Sequence, residues 1–558
     1  MKNVKIISNE YLIYFPGVQE SKFISYVNYF LRLYYELNSK DNTQFNWLAP
    51  KVLIFKPEIG LTQEFLDNFC QLLIDESVDV LGFSVYVWNR DYFKKIGNEV
   101  KKRLPHITIV GGGPDLDAHK DPNFFQKEPF YDYVIYGDGE KGFTDLLDSL
   151  AGFQVDLTNI VDHTGKIYPH EVFTDKNVLN QSPYLRYKDE IIKITEELRV
   201  EYQKLFDKKP HLIGVWETTK GCPYSCSFCD WSSGLHNKVR FWHNKEELLK
   251  DSAARPNYEL ELELFADVRL DMLQWSNPNV GLSPSDSSIV DYWCNLSKTN
   301  INTPKSFILQ LSKIKKEQAH KLYRKMIIAG LEDRLKFDLQ DLDPVVIENL
   351  DRPEIPWLEH KKMIQEMIDE FPEVSKGFKS KMNFIWGLPG QTLKHYDYNL
   401  TESLSLGLQP YFFYFEMLPN APASDPAYIE KYKLNIERLY VCHMQIPPSV
   451  TEISEEVLQK YFSETNLITG SYSMTRKEWY TGIVKNYVYR YFFIRQNAGL
   501  PVDKFLNNFH HYDDLVDEMY EDFLKNKLIA VHPGHLINSG LGTKFKNKII
   551  QITKPLLV

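Results

Sequence analysis

Cysteine is scarce in this chain: 558 residues hold six, and three of them, Cys70, Cys294 and Cys442, stand alone without partner spacing. A disulfide framework is thereby excluded as an organising principle, and a reducing, cytoplasmic setting is expected. Long apolar runs are lacking too. No uncharged apolar stretch approaches the ~18 residues a bilayer span needs. The N-terminal Met1-Lys-Asn-Val-Lys-Ile-Ile7 has no apolar signal core, so no membrane partner is expected. Excess positive charge is likewise missing, and a net charge of −10 with a pI near 5.9 offers nucleic acid no electrostatic footing. Repeats and low-complexity tracts do not occur. What is there is a composition 43% hydrophobic and 14% aromatic, able to bury large cores and, at this length, to divide into about three or four domains.

Residues 1–150 alternate strand-like and helix-like segments. Val4 to Ser8, Lys51 to Phe55, Val78 to Val87, His106 to Val110 and Tyr131 to Tyr136 read as strands. Asn89 stands where a helix N-cap would open a segment running to Leu104, with Phe93, Ile96, Val100 and Leu104 on one face. The pattern is that of a doubly wound, Rossmann-like α/β domain, whose ligands sit at the strand carboxyl ends. Residues 151–208 look less regular and are expected to form a linker that includes a charged helix from Lys188 to Phe206.

From Leu212 the alternation resumes. Leu212 to Trp216, Ser306 to Leu311, Leu335 to Gln340, Met382 to Trp386 and Tyr411 to Met417 are strand candidates, and the second strand lies in either Glu259 to Val268 or Met272 to Val280. Repeated βα units over residues 209–431 predict a full or partial (β/α) TIM-like barrel with its site at the strand carboxyl ends. Residues 432–558 turn mostly helical: Thr475 and Glu478 form a capping box, and Ile483, Val484, Tyr487, Val488 and Tyr491 form an apolar stripe that packing explains.

The chemistry concentrates in Thr218-Thr-Lys-Gly-Cys-Pro-Tyr-Ser-Cys-Ser-Phe-Cys-Asp230, where Cys222, Cys226 and Cys229 sit close together with no fourth cysteine within 60 positions. Structural zinc and electron-transfer iron–sulfur clusters normally take four protein ligands, so three soft ligands describe a cluster with an open iron. A zinc site with a distant fourth ligand, or three unrelated cysteines, are the bland alternatives. The C-x3-C-x2-C spacing just past an apolar strand resembles the signature of the radical S-adenosylmethionine (SAM) enzymes. Asp338-Leu-Gln-Asp-Leu-Asp-Pro-Val345 with Asn349-Leu-Asp-Arg-Pro353, Gly387-Leu-Pro-Gly-Gln-Thr392, and Leu418-Pro-Asn-Ala-Pro422 with Asp425-Pro-Ala-Tyr428 extend the likeness.

Upstream, Phe83-Ser-Val-Tyr-Val-Trp-Asn89, Val110-Gly-Gly-Gly-Pro114 and Tyr136-Gly-Asp-Gly-Glu140 are similar, in order, to the strand-end loops of the cobalamin-binding subgroup, and Gly470-Ser-Tyr-Ser-Met-Thr475 carries the likeness into the tail. The resemblance implies a 4Fe-4S cluster on Cys222, Cys226 and Cys229, SAM on its fourth iron, and cobalamin in the first domain. It places Phe228 near the adenine. Alternation of Lys336, Asp338 and Gln340 onto one strand face makes Gln340 a SAM-contact candidate, with Gln310 and Ser312 behind it. Ser84, Tyr86, Trp88, Asn89, Gly111, Gly112, Gly113, Tyr136, Gly137, Gly139 and Glu140 are the expected cobalamin contacts.

Three departures stand out. The loop after the first strand lacks the D-x-H-x-x-G motif that supplies a lower axial histidine, and Asp117-Ala-His119 imitates it only in part and in another loop. Lys220 replaces the arginine common before Gly-Cys, and Asn277 stands where the subgroup usually has an acid. The resemblance implies methylation of an unactivated carbon of a peptide or small natural product through a 5′-deoxyadenosyl radical and methylcobalamin. Non-methylating radical chemistry such as cyclisation, ring contraction or epimerisation is the alternative, and a non-catalytic sensor a distant one. Electrons must come from outside, from a flavodoxin or ferredoxin.

Overall fold

The computed structural model describes residues 1–8, 12–13, 21–53, 61–232, 234–236, 238–242, 254–442, 450–451, 454–496, 517, 528–531 and 547. These fall into two compact units: 1–223, 230–310 and 328–331 form the first, and 224–229, 311–327 and 332–558 the second.

The first unit is built on a sheet ordered Phe45–Trp47, Lys2–Ser8, Val78–Ser84, Thr108–Gly112, Tyr133–Ile135 and Ile160–Asp162, with Lys51–Val52 also pairing with the Lys2–Ser8 strand. All ladders are parallel except the last. The chain leaves Lys2–Ser8 first to one side and then to the other, which sets a topological switch point beside the carboxyl ends of Lys2–Ser8 and Val78–Ser84, where such sheets bind ligands. Val78–Ser84 is buried on both faces, as its unbroken apolar run predicts. The helix Arg90–Arg103 buries Phe93, Ile96 and Val100, and Phe93 stacks on Phe83 at 4.6 Å. Phe55, the far end of the expected Lys51 strand, lies outside the described residues.

A second sheet in this unit runs Lys305–Leu311, Met272–Val280, His211–Trp216, Ser21–Ile24 and Leu12–Ile13. It settles the second strand as Met272–Val280, because Asn257–Asp267 is a helix. The alternating Leu-Glu-Leu-Glu-Leu there imitates a strand, but Leu262, Phe265 and Ala266 share a buried helical stripe. Two boundaries need correction. Ser21–Ile24, expected within the first domain, pairs in parallel with His211–Trp216 and covers its edge. Residues 151–208 are more than a linker: Ile160–Asp162 closes the first sheet antiparallel to Tyr133–Ile135, and Lys188–Phe206 is helical as read.

The second unit holds a parallel sheet of Lys336–Gln340, Lys381–Trp386 and Gln409–Tyr414. One face packs Phe384 on Phe412 at 5.2 Å and Tyr396 on Phe412 at 4.2 Å, while the other carries Lys336, Asp338 and Asn383, with Asn383 Nδ2 donating to Asp338 at 2.7 Å. Among the described residues no ladder joins Lys305–Leu311 to Lys336–Gln340, so the expected barrel strands appear as two separate sheets. The tail also departs from expectation. Asn435–Cys442, Ser463–Gly470 and Leu528–Val531 form a three-stranded sheet, joined by the helices Glu455–Tyr461 and Arg476–Gln496. Arg438 pairs with Glu464 at 2.8 Å across the first two of these strands. The capping box is formed as expected by Thr475 and Glu478, and Ile483 and Val484 are buried, while the side chains of Tyr487, Val488 and Tyr491 lie outside the described residues.

His320 and His360, on neighbouring helices of the second unit, are buried with their Nε2 atoms 3.3 Å apart. Burial, aided by Lys316, pushes His320 down to about 3 and His360 well below its usual value. The unfolded chain therefore takes up protons that the fold refuses, so their contribution is complete above pH ~6.5 and is lost as pH falls toward the folded values. Relative to a variant with phenylalanine at both positions, the protein is expected to lose about 2 kcal/mol of unfolding free energy between pH 7 and 5.5, measured by denaturant titration at each pH. An equal pH dependence of the two proteins would refute this.

Candidate functional site

A cavity of about 650 Å³ opens in the first unit at the carboxyl ends of the first sheet. Three strand-end loops form one wall. Ser84, Tyr86 and Trp88 come from the first, Gly111 to Gly113 from the second, and Gly137 to Glu140 from the third. Tyr86 and Trp88 stack at 4.6 Å with 6° between their planes, which presents a flat aromatic surface. Gly113 adopts φ +121°, and a Cβ there would lie 2.2 Å from the Val85 carbonyl oxygen, so the chain crosses at a separation only glycine permits. Gly112 has nothing within 4 Å of where a Cβ would stand. The facing wall comprises Tyr26, Phe30, Glu217, Lys220, Trp231 and His236.

Two expected contacts are turned elsewhere. Asn89 is buried in its own loop, donating to Ser84 O at 3.0 Å and accepting from Tyr86 N at 2.7 Å. Tyr136 donates its hydroxyl to Tyr168 O and stacks on His119 at 4.6 Å, and neither ring lines the cavity. Burial pushes His119 down to about 4.

Charge is concentrated at the third loop. Glu140 pairs with Lys220, and Asp138 pairs with Arg240 and, at 3.3 Å, with His236 Nδ1. Burial raises the Asp138 carboxyl, but His236, Lys220 and Arg240 together overcome it and hold it well below the usual range. Burial, with Glu140 nearby, pushes Glu217 up against the pull of Lys220, and Trp242 Nε1 donates to it at 2.8 Å. Sequence reasoning missed His236, Arg240 and Glu217, which belong to no motif and gain their meaning only from partners far along the chain.

The cysteine loop begins in the same unit. Asn277, next to this loop in space, uses its Oδ1 to accept from Thr218 N and Thr219 N at 3.1 and 2.9 Å and its Nδ2 to donate to Thr218 Oγ1 at 2.8 Å. An amide can do both and a carboxylate cannot, which accounts for asparagine at this position. Cys222 N donates to His236 O at 3.0 Å, and Asn279 Nδ2 lies 3.3 Å from Cys222 Sγ.

The rest of the loop is anchored in the second unit. Ser227 N donates to Leu350 O at 2.8 Å, Ala423 N donates to Ser227 O at 2.8 Å, and Ser227 Oγ meets Tyr428 OH at 2.9 Å. Phe228 packs against a core of Val346, Leu350, Leu388 and Phe415. The segments singled out in the sequence thus converge here: Gly390 N donates to Ser473 Oγ, and Gln391 accepts from Gly387 N and Leu388 N while donating to Asp341. Cys222, Cys226 and Cys229 form no disulfide, and the first two are buried. Among the described residues no three His, Cys, Asp or Glu side chains gather as a mononuclear metal site requires.

Of the SAM-contact candidates, Gln340 is buried, holds φ +62° at a register shift, and leaves its Oε1 without a hydrogen-bond partner among the described residues. Backbone strain at a strand end beside an unsatisfied amide is the mark of a group held ready for a ligand. Ser312 instead accepts from Lys315 N at 3.2 Å, capping a turn, and Gln310 is half-buried in the first unit. Beyond the last strand of the sheet, burial pushes the Glu416 carboxyl up to about 7.

A family model described as "B12 binding domain" matches residues 58–147, which include all three cavity loops. This stretch of the first unit is similar to B12-binding domains. The chain is 26% identical over 513 residues to the cobalamin-dependent radical SAM methyltransferase TokK of Streptomyces tokunonensis, covering 90% of this chain and 69% of that one. It is also 26% identical over 478 residues to the 2-(S-pantetheinyl)-carbapenam-3-carboxylate methyltransferase of Streptantibioticus cattleyicolor, covering 84% and 63%. Among solved structures, the cobalamin-dependent SAM radical enzyme OxsB with aqua-cobalamin and SAM bound aligns with a TM-score of 0.54 at 14% identity, over 100% of this chain and 79% of that one. The resemblance to the cobalamin-binding radical SAM enzymes is borne out, and the α/β fold with it. No described helix is long and apolar enough to cross a membrane.

The residues present fit the implied groups: a cavity opened at Gly112 with a flat aromatic wall for a macrocycle, and three closely spaced cysteines outside any disulfide for a cluster with an open iron. Asn277→Ala strands two buried N–H groups and is expected to cost about 2–4 kcal/mol of stability and to lower iron bound after reconstitution. Chemical denaturation and iron assay read the two effects, and unchanged values for both would refute the bracing role.

Proposed function

We propose that this chain is a cobalamin-dependent radical SAM methyltransferase that methylates an unactivated carbon of a small natural product or peptide. The observation that carries the reading is a B12-binding domain whose loops line a cavity upstream of Cys222, Cys226 and Cys229. When bound, the cluster, SAM and cobalamin supply a carbon-centred radical and a transferable methyl group.

The chain's own residues position and shield. The three cysteines hold the cluster. Gln340, and by position Phe228, face SAM, while Gln310 and Ser312 are secondary candidates. Ser84, Tyr86, Trp88, Gly112 and Gly137 to Glu140 would hold the corrin, with Gly111 and Gly113 shaping the turn that presents Gly112. His119 is stacked against Tyr136 and does not line the cavity. Glu416 is able to hold a proton near neutrality. We assign the first sheet, from Lys2–Ser8 to Ile160–Asp162, to cobalamin, the parallel strands within residues 209–431 to the radical SAM chemistry and 432–558 to a mixed tail, in a cytoplasmic protein that draws electrons from a flavodoxin or ferredoxin. One relative is named for a carbapenam carboxylate, which supports a small natural-product substrate.

A second reading keeps the radical chemistry and drops the methyl transfer. Anaerobic reconstitution with iron, sulfide and hydroxocobalamin, followed by SAM and a reductant, tests both. Methylation predicts S-adenosylhomocysteine alongside 5′-deoxyadenosine. 5′-Deoxyadenosine alone supports the second reading. Absence of both, or full activity in Cys226→Ala, overturns the radical assignment.

A further inference from the structure

We infer that Glu140 and Lys220 are positioning residues that couple occupation of the cavity to the hold on the cluster loop. The inference rests on the assignment of cobalamin to the cavity and of the cluster to the cysteines.

Glu140 and Lys220 both line the cavity, and they form an ion pair across 80 positions of sequence in which the Glu140 side chain is 2% exposed and the Lys220 side chain 19%. Only one carboxylate oxygen is used. Oε2 of Glu140 is buried and finds no hydrogen-bond partner among the described residues. A buried carboxylate oxygen left unpaired is costly, and an amide N–H of a ligand in the cavity would satisfy it. On the other side, Lys220 precedes Gly221 and Cys222. Gly221 holds φ +84°, and a Cβ there would lie 2.2 Å from Lys238 O, so the lysine's backbone has little freedom to move independently of the first thiol.

A second strand of the same tie runs in parallel. Asp138, two residues before Glu140, holds His236 and Arg240, and His236 O accepts from Cys222 N. A ligand that draws Glu140 into a defined position therefore steadies the loop through a side-chain route and a backbone route at once.

The test is a linkage measurement that needs no turnover. The reconstituted protein is challenged with an iron chelator, with and without hydroxocobalamin, and cluster loss is followed by its thiolate-to-iron absorbance. Cobalamin is expected to slow the loss about tenfold in the parent. That protection ratio is expected to fall to near one in Glu140→Gln and in Lys220→Met, with the double variant no worse than either single, and to return in Lys220→Arg. Lys141→Gln, which breaks a neighbouring pair with Asp145, should leave it unchanged. Variants that bind hydroxocobalamin with the parent's protection ratio overturn the coupling alone. A parent that binds no hydroxocobalamin overturns the cavity assignment, and the coupling with it.

Discussion

The loop that carries Cys222, Cys226 and Cys229 has only the two-residue ladder of Thr219–Lys220 with Arg240–Phe241 to satisfy its own backbone, and this constraint organises its surroundings. Every buried N–H and C=O in it needs a partner from elsewhere. Asn277 serves Thr218 and Thr219, His236 serves Cys222, and Leu350 and Ala423 bracket Ser227. Asn277 sits within the strand Met272–Val280 and Leu350 caps the helix Pro344–Asn349, so these two partners are fixed by regular structure. The recurrent short motifs of the chain are therefore best understood as the anchors of one loop, separated in sequence and joined by hydrogen bonds.

The charges of the first unit follow from the same demand. Asp138, Glu140 and Arg240 are almost wholly buried, and breaking such pairs from one side costs about 3–5 kcal/mol because the remaining charge is left unpaired. Pairs of this kind are weak contributors to net stability, since desolvation consumes most of the attraction. Their value here lies in direction: a fully satisfied Arg240 and Asp138 admit few alternative geometries, and the segment leading to Cys222 inherits that restriction.

How much of this the sequence disclosed depended on whether the information was local. The Val78–Ser84 strand, the helix from Arg90 and the glycine loops were legible because periodicity and turn chemistry act within a few residues. So was the cysteine loop, whose meaning lies in spacing. Asn257–Asp267 misled because alternating leucines fit either period until Trp216 Nε1 and a buried stripe chose the helix. The sheet around Asn435–Cys442 was hidden because its pairs with Ser463–Gly470 join residues 22 to 35 positions apart, from Val441 with Ser463 to Asn435 with Gly470. Asn89 and Tyr136 looked like ligand contacts by position, yet their polar atoms were already committed to the loop and to Tyr168.

The triple glycine shows the difference at the scale of single atoms. In sequence the three residues are equivalent, and all were read as clearing space for a ligand. In the fold they divide the work. Gly111 is small because Leu116 and Tyr131 would lie 2.6 and 2.7 Å from its Cβ, and Gly113 because its φ of +121° and the Val85 carbonyl exclude any side chain. Those two glycines serve the protein's own packing. Gly112 alone has open space where a Cβ would stand, so only there does the absent side chain leave room to the cavity. A tight βα turn needs glycines for its backbone whatever it binds, and it is the residue with no internal reason to be glycine that speaks for the ligand.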